Sequence, residues 1–182
     1  MKKVDLTNVQ EAQDGSRRHP AGPYICKITA VEDVDSKEYL KVSYDIVDGD
    51  YKGYYTKARE EHPDWEWFGA YVKSYKTKAL PMFKRFCSAV TKSNVGYTFD
   101  GGAANSDEKT LIGKKIGLMF REEEYYANDG NIKTRLIISS EFPIANIKDQ
   151  KTPSVKKIKE ETTTSADGFM KLENGADEIP FA

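Results

Sequence analysis

The sequence predicts a mainly β domain with five strands, one helix and a polar C-terminal tail. Three observations lead to this prediction. In several separate segments apolar and polar residues alternate, which is the period of a strand with one buried face. One segment near the middle instead has the period of an amphipathic helix. After residue 147 neither period continues, so we expect the packed domain to end there.

Three strands are predicted in the first third of the chain. Residues 24–30 and residues 40–46 both alternate between apolar and polar side chains. The sequence Asp-Gly-Asp at residues 48–50 is typical of a hairpin turn. Residues 51–58 then predict the third strand. Because the connections are short, the three segments predict an antiparallel meander.

A helix is predicted over residues 79–93, with a proline in its first turn and apolar side chains along one face. Two more strands follow at residues 116–120 and 132–138, separated by a strong turn signal at 128–131. Three strands, a helix and two strands are the element order of an OB-fold barrel. An unrelated α+β sheet with the same order stays open as the alternative.

The charge distribution predicts three regions. The whole chain has 28 basic and 29 acidic residues, for a net charge of -1, so bulk charge does not indicate a nucleic-acid binder. Residues 1–22 are polar and predict a flexible arm, residues 23–147 the OB-fold domain, and residues 148–182 a tail. The tail separates its charges, with lysines first and an acidic excess from Glu160 onward. Such a segment cannot offset its chain entropy by burial, so we expect it to be disordered.

The sequence argues against an enzyme and against a membrane protein. It contains no phosphate-binding loop, dinucleotide-binding or hydrolase motif, and we expect no cofactor and no metal. His19 and His62 are expected on the surface, and Cys26 and Cys87 are expected to be inert in the core. The acidic run at residues 122–124 leaves a metal-dependent nuclease as a less favoured alternative. Lacking a long apolar run, the chain is expected in the cytoplasm.

Aromatic and basic residues are interleaved in the segment before the helix. This segment contains both tryptophans, Trp65 and Trp67. Trp67, Tyr71 and Tyr75 have the spacing of one side of a short helix. Flat rings among cations are what single-stranded nucleic acid requires, namely stacking surfaces for bases and positive charge for phosphates. The alternative is that the rings cover one end of the domain as a satellite core.

A second cluster of aromatic and basic residues lies in the predicted third strand. Basic residues at outward-facing positions of the neighbouring strands lie beside it. Strands two and three form the usual oligonucleotide surface of an OB-fold, with the loop between strands four and five as a further contact. Tyr125 and Tyr126, near that loop, are weaker candidates. The predicted nucleic-acid contacts are Lys27, Lys41, Tyr51, Tyr55, Lys57, Arg59, Trp65, Trp67, Tyr71, Lys73, Arg121, Lys133 and Arg135.

The C-terminal residues resemble the tails of bacterial and phage single-stranded-DNA-binding proteins. In that family an acidic tail ends in Ile-Pro-Phe or Leu-Pro-Phe, which docks replication and repair enzymes. The matching residues here are Asp177, Glu178, Ile179, Pro180 and Phe181, followed by Ala182. The domain is more similar to the phage-encoded members, through Gly-Lys-Lys at residues 113–115 and Glu-Glu-Tyr at 123–125.

The residues and the resemblance together lead to one expected function. We expect sequence-nonspecific binding and protection of single-stranded DNA during replication, recombination and repair, in the host cytoplasm if the protein is phage-encoded. The expected partners are single-stranded DNA, replication or recombination proteins recruited by the tail, and a second copy in a homodimer. A recombination mediator, an RNA-binding OB protein, a metal-dependent nuclease and a structural adaptor are the alternatives.

Overall fold

The computed structural model describes residues 18–65, 67–102 and 107–158. Within these residues the chain forms a five-stranded antiparallel sheet and two α-helices, which confirms the mainly β prediction. The strands are β1 (Gly22–Val34), β2 (Tyr39–Ile46), β3 (Ala70–Ser74), β4 (Lys115–Tyr126) and β5 (Ile132–Phe142). The helices are α1 (Tyr54–Glu61) and α2 (Leu80–Ser93). No helix among the described residues is long and apolar enough to span a membrane.

The strands lie in the order β3-β2-β1-β4-β5, and every neighbouring pair is antiparallel. Among the described residues no backbone ladder joins β3 to β5, so the sheet is not closed. Side chains link these two edge strands instead. The ammonium of Lys73 on β3 forms an ion pair with Glu141 on β5, and both side chains are buried.

The prediction of a third strand at residues 51–58 is wrong, because this segment contains α1. A buried carboxylate explains the difference. The side chain of Asp45, near the end of β2, accepts hydrogen bonds from the backbone N–H groups of Tyr55 (3.0 Å) and Thr56 (3.3 Å). Donors in the first turn of a helix have no partner within the helix, so this contact stabilises α1. The tyrosines that suggested a strand pack around the helix instead.

The prediction of a short helix through Trp67, Tyr71 and Tyr75 is also wrong. Residues 70–74 form β3, which pairs with β2 so that Tyr71 lies opposite Val42 and Val72 lies opposite Lys41. Successive side chains of a strand point to opposite faces. Tyr71 therefore faces the core, whereas Val72 lies exposed on the other face.

The core lies between one face of the sheet and helix α2. The prediction of a helix over residues 79–93 is confirmed, and Phe83, Phe86 and Val90 are buried on its inner face. Cys26 and Cys87 are also buried, as predicted. Burial raises the pKa of the Cys87 thiol to about 11, which keeps it in the unreactive protonated form.

His19 is buried, so the prediction that it lies on the surface is wrong. Its ring is packed edge-on against Phe120 (4.6 Å between centroids) and Tyr24 (4.7 Å). Nδ1 lies 3.0 Å from the carbonyl oxygen of Pro20, which can only accept, so Nδ1 carries the proton. Nε2 then accepts from the hydroxyl of Tyr55 at 2.6 Å. His19 thus fixes the start of the described chain to the core.

At the other end of the domain, the described chain continues beyond the predicted boundary at residue 147. β1 pairs with β4 only as far as Phe120, which leaves the rest of that edge of β4 unoccupied by β1. Residues after 150 occupy it: the N–H of Lys156 donates to the carbonyl of Glu122 (2.8 Å), and the N–H of Glu124 donates to that of Lys156 (2.9 Å). The described chain is therefore still hydrogen-bonded to β4 at Lys156, although most of residues 151–158 are exposed.

Candidate nucleic-acid interface

The face of the sheet turned away from the core, called the outer face below, carries the candidate interface. Register places Lys27, Lys41, Arg121, Lys133 and Arg135 on it, in alternation with the inward-facing side chains. These five residues were predicted to point outward, and the register confirms that orientation. The five side chains differ in their neighbours: some are paired with a carboxylate and some are not. Only an unpaired cation is fully available to a phosphate.

Trp67 and Lys41 form a cation–π contact on the outer face. Trp67 lies just before β3 with 51% of its surface exposed. The ammonium of Lys41, on β2, lies 4.4 Å from the centroid of its ring. An exposed indole beside a cation provides a surface on which a base can stack and a charge that a phosphate can meet.

Trp65 lies at the mouth of a cleft of about 640 Å³ between α1, β3 and β5, called the aromatic cleft below. Its ring is 43% exposed and stacks on the imidazole of His62, with 4.1 Å between centroids and 12° between planes. Phe68 packs against its edge. The rings are held by each other and by the turn that begins at His62, so the tryptophan face is positioned before any ligand arrives.

Arginines border the aromatic cleft. Arg18 is exposed and donates from Nη1 to the carbonyl of Thr134 (2.7 Å), which fixes it beside β5. Arg135 also lines the cleft. The cleft thus combines apolar ring surfaces with guanidinium groups at its rim, and of the described residues that line it Glu61 is acidic.

Three residues predicted as nucleic-acid contacts are turned toward the core. The prediction is wrong for Tyr55 and Lys73, which are buried, whereas Tyr71 is half-buried and for it the contact stays a prediction. Tyr55 is 5% exposed, Lys73 is 7% exposed and paired with Glu141, and Tyr71 faces the core. The Tyr71 hydroxyl has no hydrogen-bond partner among the described residues. Burial, followed by the nearby Glu141, holds the pKa of this hydroxyl well above its ordinary value. Tyr55 and Lys73 are therefore too buried to meet a base or a phosphate in this structure.

Two cations of β5, Arg135 and Lys133, have carboxylate partners. Arg135 donates from Nε (3.0 Å) and Nη2 (2.8 Å) to one carboxylate oxygen of Glu123, and its guanidinium lies 5.3 Å from the ring of Tyr125. Lys133 pairs with Asp129 at 2.9 Å. Hydrogen bonds from Lys156 and Arg135 hold the pKa of the Glu123 carboxyl below its usual range. Because carboxylates partly neutralise these cations, each contributes less to a phosphate contact than an unpaired cation would.

The remaining predicted contacts are spread around the outer face and α1. Arg121 donates from Nε to the carbonyl of Ser154 (2.8 Å), and Arg59 lies 3.5 Å from the hydroxyl of Thr29. Lys27 and Lys57 are exposed, and no ion pair involves either among the described residues. Tyr51 is half-buried in the ring cluster around His19.

Sequence reasoning missed Arg18 and His62 as parts of the site. Arg18 fell in the predicted arm, and no local pattern indicates that it reaches β5. His62 carried a usable signal, because it precedes Trp65 by three residues across Pro63 in a turn. The predicted partner-binding residues, Asp177, Glu178, Ile179, Pro180 and Phe181, lie outside the described residues.

Within the described residues no three His, Cys, Asp or Glu side chains are grouped so that they could hold a metal ion. No protein-family model and no curated protein matches this sequence.

Proposed function

We propose that this protein binds single-stranded DNA without reading its sequence. The observation that carries the proposal is Trp67, an indole half exposed on the outer face with the ammonium of Lys41 4.4 Å from its ring. Trp65, half exposed at the aromatic cleft, supplies a second stacking surface. Stacking on an aromatic ring contributes about 1–3 kcal/mol per base and is tolerant of sequence, because every base has a π-face.

We further propose that the domain is an OB-fold. The strand order β3-β2-β1-β4-β5, with α2 between β3 and β4, supports this assignment. The ion pair between Lys73 and Glu141 supports it as well, because it joins the two strands that would close such a barrel. In an OB-fold, strands two and three and the loop between strands four and five bind oligonucleotides. Trp67 and Lys41 lie on the first of these surfaces.

The biological role follows from the tail as well as from the domain. We propose that the protein is phage-encoded, and that it coats and protects single strands in the host cytoplasm during replication, recombination and repair. Its C-terminal tip, residues 177–181, recruits replication or recombination proteins through its acidic and apolar residues. A homodimer is compatible with this role, and the oligomeric state is open to direct measurement.

A binding experiment tests the proposed function against its alternatives. The full-length protein is titrated into labelled single-stranded DNA, duplex DNA and single-stranded RNA at moderate salt, with and without Mg²⁺. We expect the single-stranded DNA to bind most tightly and to stay intact, since duplex DNA hides its base faces. Equal affinity for the duplex would contradict stacking, tighter binding to RNA would favour the RNA-binding alternative, and Mg²⁺-dependent cleavage would favour the nuclease.

Two matched variants test whether DNA binding depends on the candidate site. Trp67→Ala removes an exposed ring and should lower affinity for single strands by about 5- to 150-fold, the equivalent of 1–3 kcal/mol. Phe83→Ala removes a buried ring of α2 and should lower stability by about 3–5 kcal/mol without changing the affinity of the folded protein. The site is misassigned if Trp67→Ala lowers stability as much as Phe83→Ala and leaves affinity unchanged.

A further inference from the structure

Two lysines lie directly opposite each other where β1 meets the beginning of β4. Lys27 pairs with Lys115 in the antiparallel register, and both side chains are exposed. The N–H of Ile28 donates to the carbonyl of Lys114 (2.9 Å), which makes Lys27 and Lys115 a non-hydrogen-bonded pair, the closer of the two kinds. Like charges directly opposite each other destabilise a sheet. Water screens two exposed ammonium groups in part, so the cost is modest, and an anion between them would relieve it.

The described residues provide no carboxylate for that role. None of the ion pairs in the described part of the chain involves Lys27, Lys114 or Lys115. The residue opposite Lys27 on β2 is Asp45, whose carboxylate accepts hydrogen bonds from the N–H groups of Ile46, Tyr55 and Thr56. This carboxylate is buried and committed to the start of α1.

A third lysine, Lys114, precedes Lys115 in the chain and packs on a ring. The ammonium of Lys114 lies 4.1 Å from the centroid of Tyr97, whose hydroxyl is 2.9 Å from the hydroxyl of Thr110. Asn94, at the end of α2, fixes the backbone of Lys115: its Nδ2 donates to the carbonyl (2.8 Å) and its Oδ1 accepts from the N–H (3.0 Å). The negative end of the α2 dipole favours a cation at this position.

We propose that Lys27 and Lys115 are the centre of a phosphate-binding cluster that contacts the backbone of the same bound single strand. This inference rests on the proposed function. The cluster and Trp67 are connected across the outer face: Lys41 lies opposite Glu32 on β1, and Lys27 lies opposite Asp45, which is four residues or about 13 Å further along β2 than Lys41. Arg59 is anchored to Thr29 between these two points. A strand that stacks on Trp67 can pass Lys41 and Arg59 on its way to Lys27 and Lys115, with Glu32 as the acidic residue opposite Lys41.

The test compares two double variants with equal loss of charge. Lys27→Gln/Lys115→Gln removes the opposed pair, and Lys78→Gln/Lys84→Gln removes two exposed lysines at and just before α2. Each protein is titrated with a single strand of about 15 nucleotides and one of about 4 nucleotides, which bracket the usual length bound by one OB-fold. Binding is followed by fluorescence polarisation at several salt concentrations.

The cluster variant should bind the long strand about 25-fold more weakly at 0.1 M salt, with a salt slope reduced by about 1.4, because each phosphate contact to a single strand contributes about 0.7. Its affinity for the short strand, which is held at the tryptophans, should stay unchanged. The control variant should match the wild type for both strands. If the cluster variant keeps the wild-type slope on the long strand, the phosphate assignment is overturned while the proposed function stands.

A second measurement separates this inference from the proposed function and from free phosphate. Inorganic phosphate is compared with chloride at equal ionic strength in thermal unfolding of the wild type and the cluster variant. Phosphate should raise the Tm of the wild type only, because it relieves the repulsion between Lys27 and Lys115. Equal Tm values in both salts, with an unchanged slope on the long strand, overturn the cluster as an anion site. Failure of the wild type to bind any single strand overturns the proposed function instead, together with the assignment of the cluster to a strand.

Discussion

Replacing Lys73 by Met should destabilise the domain rather than weaken DNA binding directly. The side chain of Lys73 is 8% exposed and that of its partner Glu141 is 2% exposed, so the substitution leaves a carboxylate buried with one remaining cation. That cation is Arg85, which is half exposed and lies 3.5 Å from the other carboxylate oxygen. Breaking a buried pair typically costs about 3–5 kcal/mol, and because Arg85 compensates in part, we expect about 3 kcal/mol. For a domain of this size that lowers the Tm by roughly 10 °C.

The assay is denaturant unfolding, followed by titration of the folded protein with single-stranded DNA. Lys73→Met/Glu141→Leu removes both charges and should recover most of the lost stability, since an apolar pair of similar volume often replaces a buried ion pair at little cost. Lys41→Met is the matched control on the outer face. It should change stability by less than about 0.5 kcal/mol and should weaken DNA binding. The reasoning fails if Lys73→Met costs under about 1 kcal/mol, or if it lowers affinity as Lys41→Met does at an unchanged Tm.

Three further predictions follow from other parts of the chain. Burial lowers the pKa of His19, so its contribution to stability is complete above about pH 6.5 and should be lost as the pH falls below that value; His19→Gln should abolish this dependence in urea unfolding at pH 7.5 and 5.5. Gly117→Ala would bring a methyl group into steric clash with the ring of Phe142 and should lower the free energy of unfolding by about 1–3 kcal/mol. An unchanged Tm would contradict the packing between β4 and β5. Deleting residues 160–182 removes six acidic residues and one lysine, so affinity for single strands should rise at low salt, and the gain should shrink at high salt; weaker binding at low salt would make the tail part of the DNA site.

Periodicity predicted most of the sheet and failed where tertiary contacts determine the local structure. The alternation in β1, β2, β4 and β5 and the helical spacing in α2 were read correctly, because each of these elements buries one face. The segment after β2 was misread because its tyrosines favour strands. Capping of α1 by Asp45 depends on a residue ten positions earlier, and no local pattern reveals that contact.

The candidate site was predicted in part for the same reason. Lys41 lies on the outer face as the sequence predicted, and Trp67 is exposed beside it although the short helix predicted for it is not formed. Tyr71 and Lys73 were assigned to a helix side and to an exposed surface, but the register of β3 turns both toward the core. A lysine between aromatic residues is normally solvent-exposed. Only the position of Glu141 on β5, distant in sequence, makes the burial of Lys73 favourable.

Tryptophan fluorescence tests the central claim most directly, since the chain contains only Trp65 and Trp67. Trp65→Phe leaves Trp67 as the sole reporter, and Trp67→Phe leaves Trp65. We predict that single-stranded DNA quenches the emission of the protein that retains Trp67, in a saturable manner, because bases stack on the indole. Duplex DNA at the same concentration should leave this emission unchanged. Emission from Trp67 that does not change at saturating single-stranded DNA, or that changes equally with duplex DNA, would contradict the account.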